Sequence, residues 1–103
     1  MILVNTEKIP GREYEVLSLV KGGTVQAKHF GRDFMAGMKN LVGGEITGYT
    51  EMLSEAREIA INRMITDAQN MGADAIVCVR FASSQIMDGA AEIVAYGTAV
   101  KFK

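Results

Sequence analysis

Residues 49–72 read YTEMLSEAREIAINRMITDAQNMG, and this stretch decides the fold. Apolar side chains recur in it at intervals of three and four, which places them on one side of an α-helix. The apolar positions are Met52, Leu53, Ala56, Ile59, Ala60, Met64, Ala68 and Met71. Gly72 follows them and readily takes the left-handed conformation that ends helices. We therefore predict one long amphipathic helix from about Tyr49 to Met71, with one side buried.

The residues after the helix predict two neighbouring antiparallel strands. Residues 76–79 read IVCV, a short apolar run rich in β-branched side chains that is typical of a central strand. That strand should extend from about Ala75 to Ile86. Asp88-Gly89 then favours a two-residue hairpin turn of the mirror-image type. A last strand is expected from about Ala91 to Phe102.

The residues ahead of the long helix predict a strand and a short helix. Ile9-Pro10-Gly11-Arg12 is typical of a turn, and apolar residues from Tyr14 onward indicate a strand that reaches about Ala27. Gly22-Gly23 interrupts the pattern, either as a bulge or bend within one long strand or as a tight hairpin between two short ones, and we expect the bend. Residues 29–41 carry apolar side chains at helical spacing and are predicted to form the short helix.

The last predicted strand has two apolar faces. One face carries Val94, Tyr96, Val100 and Phe102, and the other carries Ile93, Ala95, Gly97 and Ala99. The small side chains of the second face would let the helix approach closely. A helix of about 22 residues is roughly 33 Å long, which matches strands of about ten residues. The helix should therefore lie along the sheet and leave the sheet's opposite face without cover.

A sheet that is apolar on both faces needs a second cover. Another copy of the chain is the simplest one, so we predict a homo-oligomer with Val94, Tyr96 and Phe102 at or near the interface. The alternative is that residues 29–41 cover this face within one chain. The predicted fold class is α+β, with two layers, an antiparallel sheet of three to four long strands, one long helix and one short helix.

Length, charge and cysteine content narrow the class of protein. The 103 residues are predicted to form a single domain, 1–103, and the 11 basic and 12 acidic residues create no field that would attract nucleic acid. No apolar run approaches the roughly 20 residues of a membrane span, and the first residues lack the features of a signal peptide. The lone cysteine, Cys78, excludes an intramolecular disulfide. We expect a cytoplasmic protein that has neither nucleic acid nor a membrane as its partner.

The side chains that carry chemistry give few signals. His29 is the only histidine and Cys78 lies in a predicted core strand, so we assign no metal ligands and no catalytic residues and leave the cofactor open. Glu51, Glu55 and Glu58 form an acidic stripe on the long helix. This stripe is either a solvated face or, in an oligomer, a place where copies converge on a cation.

The candidate ligand-binding residues surround the approach to the long helix. Gly43-Gly44 either cap this helix or bring backbone amides to an anion, and Arg32-Asp33 is an ionic pair among apolar residues that needs partners at an interface or in a ligand. The residues assigned to the site are Arg32, Asp33, Gly43, Gly44, Tyr49 and Glu51. We predict a non-catalytic homo-oligomer that binds a small ligand or a cation in a cleft between subunits near these residues. The alternative is an enzyme whose site is completed across the interface, with Asp33, Glu51 or Tyr49 as acid or base.

Several motifs resemble those of the YbjQ family of bacterial and archaeal proteins. They are Arg32-Asp33-Phe34-Met35-Ala36-Gly37, Gly43-Gly44, Tyr49-Thr50-Glu51 with Leu53, Ala56-Arg57-Glu58-Ile59-Ala60, Gly72-Ala73-Asp74-Ala75 and Gly97-Thr98-Ala99-Val100, in the family's order from about Val16 to the end. The resemblance implies a small α+β subunit whose strands assemble into a ring, typically a pentamer, and it brings a heavy-metal-binding label. Because this chain has one cysteine and one histidine, it lacks the set of thiolate and imidazole ligands that would be needed to transfer this label. Glu45 stands where relatives commonly have an arginine, which argues against anion binding by the glycine pair.

Overall fold

A computed structural model of the chain describes residues 1–27 and 47–103. Within this part, the chain forms one helix and a four-stranded sheet with the strand order β1-β3-β4-β2. The elements are β1 (Ile2–Leu3), β2 (Tyr14–Ala27), α1 (Thr47–Asn70), β3 (Ala75–Met87) and β4 (Ala90–Phe102). The α+β class, the long helix and the three long antiparallel strands are confirmed. The two-residue β1 was not predicted; it pairs parallel with β3 and makes the sheet mixed. The short helix predicted over residues 29–41 lies outside the described residues.

The end of α1 is fixed by the glycine that the sequence indicated. Gly72 has a φ of 78°, in the left-handed region. Its N–H donates to the carbonyl of Gln69 at 3.0 Å, and the N–H of Ala73 donates to the carbonyl of Ala68 at 3.1 Å. This pair of bonds is the Schellman motif, which satisfies carbonyls that the last helical turn would leave open. The chain then enters β3 within a few residues.

The buried side of α1 packs on the face of the sheet that carries small residues. Its contacts are most extensive with β2, fewer with β4 and fewest with β3. The fully buried members of this core are Val20, Ala56, Ala60, Met64, Ala68, Ile76, Ala95 and Ala99. The predicted close approach of helix and sheet is therefore confirmed, but the helix lies towards β2, one edge of the sheet, and leaves most of β3 uncovered.

Gly22-Gly23 lies within one continuous strand. The register with β4 runs unbroken through both glycines, so the single-strand interpretation is confirmed, and the irregularity of β2 lies between Val16 and Ser18 instead. A Cβ atom on Gly22 would lie 2.3 Å from the carbonyl oxygen of Ala60 and 2.3 Å from the backbone nitrogen of Met64. Gly22 is thus the point where the helix backbone rests directly on the strand.

A bulge in β3 anchors the amino terminus of the chain. The register between β3 and β4 shifts between Val77 and Arg80, and Cys78 has a φ of 56°. The Cys78 N–H donates to the carbonyl of Thr6 at 3.0 Å, and the Val79 N–H donates to the carbonyl of Val4 at 3.0 Å. Cys78 packs at the border of the core, because the bulge turns its backbone and leaves the side chain half-buried against the buried Ala75, Val77 and Val100.

The opposite face of the sheet is covered at one end by the chain itself. A small cluster there joins the buried Ala75, Val77 and Val100 to the partly buried Val4, Ile9, Tyr14, Cys78 and Phe102. The guanidinium of Arg12 lies 4.7 Å from the centre of the Phe102 ring. The expectation of a bare face was therefore wrong at this end, and Phe102 packs within its own chain.

The rest of that face remains exposed and apolar. The exposed fractions are 64% for Val16, 65% for Leu19, 55% for Val25 and 37% for Tyr96, a residue that we expected at an interface. The prediction that this part of the sheet needs a partner therefore still stands.

The turn between β3 and β4 differs from the predicted mirror-image type. That type requires a positive φ at the first central residue, Asp88, but only Gly89 has one, with a φ of 79°. The β3–β4 register shifts between Gln85 and Met87. The turn therefore has one left-handed residue, Gly89, where a type I′ turn has two, and it is combined with a bulge in β3 beside it.

We expect Gly22→Ala to lower the free energy of unfolding by about 1–3 kcal/mol, because the added methyl group would collide with the backbone of α1. Gly23→Ala is the matched control. Its Cβ would lie 3.5 Å from a methyl group of Val94, an ordinary contact, so we expect a change of less than about 1 kcal/mol. Urea denaturation at one protein concentration measures both, and equal losses would contradict this role for Gly22.

Candidate functional site

A cavity of about 250 Å³ lies where α1 begins beside the β3–β4 turn. Three elements contribute to its wall, because α1 is about as long as the strands and its first turns reach the tip of the hairpin. The lining residues are Tyr49, Met52 and Leu53 from α1, Gln85 from β3, and Gly89, Ala90 and Ala91 from the turn and β4. We call this the Tyr49 cavity.

The wall of the Tyr49 cavity is mostly apolar. Met52 and Ala90 are buried, with 6% and 8% of their surface exposed, while Tyr49 and Leu53, four residues apart, lie on the same side of the helix. The polar side chains are the Tyr49 phenol and the Gln85 carboxamide, whose nitrogen donates to a carboxylate oxygen of Asp88 at 3.4 Å. Among its described lining residues, none carries a charge at neutral pH. Such a wall suits an uncharged ligand with a few hydrogen-bonding groups.

The structure separates the two site residues that it describes. Tyr49 lies in the cavity wall, whereas Glu51, two positions further along the helix, is exposed and does not line the cavity. Arg32, Asp33, Gly43 and Gly44 lie outside the described residues. Ligand binding by this set of six remains a prediction.

Sequence reasoning missed most of the cavity wall. Met52 and Leu53 were assigned to the buried side of the helix, and Gln85 carried no signal on an exposed strand. The Asp88-Gly89 turn was recognisable, and the similar lengths of helix and strands could have placed this turn beside the helix start. The sequence did not show in which direction α1 runs along the hairpin, and so did not show which end of the helix lies beside the turn.

The described residues, 1–27 and 47–103, contain no group of three or more His, Cys, Asp or Glu side chains that could hold a metal ion. The acidic stripe formed by Glu51, Glu55 and Glu58 is exposed along its whole length. Over the same part of the chain, no helix is long and apolar enough to cross a membrane.

A wider surface depression of about 760 Å³ lies beside the turn before β2. It is lined by residues 7–14 and Lys103, and both charge signs are represented in its wall. The Tyr14 hydroxyl donates to the carbonyl of Glu7 at 2.5 Å, which ties the loop to the start of β2. This depression is open and its charged side chains are exposed, so the Tyr49 cavity is the better candidate for a site.

Comparison with known proteins assigns the chain to a family. The YbjQ family model, described as "Putative heavy-metal-binding", matches residues 1–103. The chain belongs to the YbjQ family. UPF0145 proteins from Photobacterium profundum and Vibrio campbellii are 64% and 62% identical to it over 102 residues, which cover 98% of this chain and 99% and 98% of theirs. A third, from Clostridium novyi, is 59% identical over 101 residues and 98% of each chain.

The fold of the YbjQ chain also occurs in a solved structure. A protein of unknown function from Pediococcus pentosaceus, assigned to the DUF74 family, superposes with a TM-score of 0.65 at 11% identity, over 100% of this chain and 98% of that one. At this identity the likeness shows the fold alone. The UPF0145 proteins are a family without an assigned activity.

We expect Met52→Ala to lower the free energy of unfolding by about 2–5 kcal/mol, because it enlarges the Tyr49 cavity at a buried position. The neighbouring change Glu51→Ala should stay within about 0.5 kcal/mol, because that side chain is exposed. Denaturant unfolding of both variants checks the orientation of α1. A larger loss for Glu51→Ala would show that the helix faces another way.

Proposed function

We propose that this YbjQ-family protein is a non-catalytic homo-oligomer that binds a small uncharged ligand at the Tyr49 cavity, in a cleft between subunits. The observation that carries the assembly is the set of large apolar side chains that stay exposed on the sheet face and on the β3–β4 hairpin. The observation that carries the binding is that the described residues of the cavity wall carry no charge. The two parts are tested separately below.

The described residues expose surface of the kind that interfaces bury. Large apolar side chains with more than a third of their surface exposed occur on both the sheet face and the β3–β4 hairpin. They include Val16, Leu19, Val25, Phe81, Ile86, Met87 and Tyr96. Assembly of several copies would remove these groups from water. A closed ring, and the pentamer that the family resemblance implies, is the assembly that we propose.

The Tyr49 cavity favours an uncharged ligand over a cation. Hard cations need several oxygen ligands and heavy metals need thiolate or imidazole, and no described lining residue supplies a carboxylate, a thiol or an imidazole. We also propose a cytoplasmic location, on the grounds of the single unpaired cysteine.

The assembly is tested by the mass of the particle in solution. Sedimentation equilibrium should give a multiple of the 11.1 kDa chain, and five copies for the proposed ring. The expected reason is burial of the exposed apolar set in subunit contacts. A monomer at micromolar concentration would contradict the assembly and leave the cavity to be judged on its own.

The binding is tested with indole as an uncharged aromatic probe, beside a panel of divalent cations. We expect indole to bind and to stabilise the fold, by about 2.7 kcal/mol at 100 times its Kd, and the cations to have no effect through this cavity. Ala91→Met should abolish the effect of indole because it fills the cavity, whereas Glu58→Met, at an exposed helix position outside the wall, should preserve it. Calorimetry and thermal unfolding measure both, and equal responses of the two variants would contradict binding at this cavity.

A further inference from the structure

We infer that the Tyr49 cavity selects ligands that donate a hydrogen bond, because Asp88 turns the Gln85 carboxamide so that its carbonyl oxygen faces the cavity. The inference rests on the proposed function and names the ligand class of the same site, an uncharged molecule with an N–H or O–H group. Two observations carry it, namely the place of Gln85 on the helix side of the hairpin and its hydrogen bond to Asp88.

The register of the hairpin places the Gln85 side chain on the side of the sheet that carries α1. Gln85 pairs with Ala91, and directly opposed residues of an antiparallel pair share one face. Two positions further along β4, Ile93 lies on the same face and belongs to the core that α1 forms with the sheet. Gln85 therefore reaches the cavity from the helix side, and because it is exposed it stands at the cavity mouth.

A hydrogen bond selects which end of the Gln85 carboxamide faces Asp88. The Nε2 atom of Gln85 donates to the Oδ1 atom of Asp88 at 3.4 Å, across the bulge that lies between Gln85 and Met87. An ionised carboxylate only accepts hydrogen bonds, so the opposite amide orientation would set two oxygen atoms against each other. The bond is long and exposed, and we expect it to favour this orientation by about two- to tenfold.

The same bond leaves the carbonyl oxygen of Gln85 to the cavity. Gln85 is one of the described residues of the cavity wall, whereas Asp88 is not among them. The amide nitrogen is therefore drawn towards the turn, and the oxygen lies on the other side of the planar carboxamide. An amide oxygen is an acceptor with two lone pairs. A ligand that donates a hydrogen bond satisfies this oxygen, whereas a ligand with only an acceptor in the same place meets it with an unfavourable contact.

Among the described lining side chains, Gln85 is the one that can distinguish donors from acceptors. The Tyr49 hydroxyl both donates and accepts, so it accommodates either kind of ligand. The other lining side chains are apolar, namely those of Met52, Leu53, Ala90 and Ala91. Because Gln85 is exposed, water can replace a missing partner. We therefore expect a discrimination of about three- to tenfold, and not the several powers of ten that a buried polar group provides.

The test compares indole with benzofuran, which has nearly the same shape and carries an oxygen where indole carries its N–H. By calorimetry at pH 7, we expect the wild type to bind indole about three- to tenfold more tightly. Gln85→Met removes the acceptor at similar volume and should bring the two Kd values within about twofold of each other, mainly by weakening indole. Asp88→Asn should also reduce the preference, because an asparagine carboxamide can face either end of the Gln85 amide. Gln69→Met, exposed at the other end of α1, is the matched control and should keep the preference.

The outcomes separate this inference from the proposed function. A wild type that binds neither indole nor benzofuran would overturn binding at the Tyr49 cavity and the inference with it. Equal affinities for the two probes, a preference that survives Gln85→Met, or one that Gln69→Met removes as well would overturn selection by Gln85 and leave the cavity as a binding site. A preference that Gln85→Met removes and Asp88→Asn leaves intact would overturn the positioning role of Asp88.

Discussion

The close contact between α1 and β2 is the constraint on which the rest of the structure depends. The helix backbone rests on Gly22, with no room for a side chain between them. Ala56 and Ala60 on α1 and Ala95 and Ala99 on β4 extend this close packing to the neighbouring strand. Because the helix is drawn to β2, it cannot also cover β3 at the far side of the sheet. A single tight contact therefore produces both the core and the uncovered strand.

The same placement gives the sheet two unlike edges. From its position over β2, the helix reaches beyond the strand with Asp67 and Arg63 and occupies backbone groups of Lys21 and Gly23. No such side chain from the described helix reaches the far half of β3. The covering of the sheet's second face is also uneven, since the segment before β2 protects only the end that holds Phe102. Exposed apolar side chains therefore remain both on β2, at Val16, Leu19 and Val25, and on the hairpin, at Phe81, Ile86 and Met87.

The sequence predicted the elements better than their contacts. The long helix and the hairpin strands were predictable because their periods, the stop at Gly72 and the Asp88-Gly89 turn are local signals. The role of Gly22 was not, because a glycine that admits a helix backbone and a glycine that bends a strand look alike in one sequence. Strand β1 has only two residues, which is too short for a pattern of alternating apolar residues to be recognised. The bulge at Cys78 could not be predicted either, because residues 76–79 form an apolar run that is typical of a regular strand. At the candidate site, Tyr49 was chosen for its position at the helix start, while the hairpin residues opposite it depend on a tertiary contact.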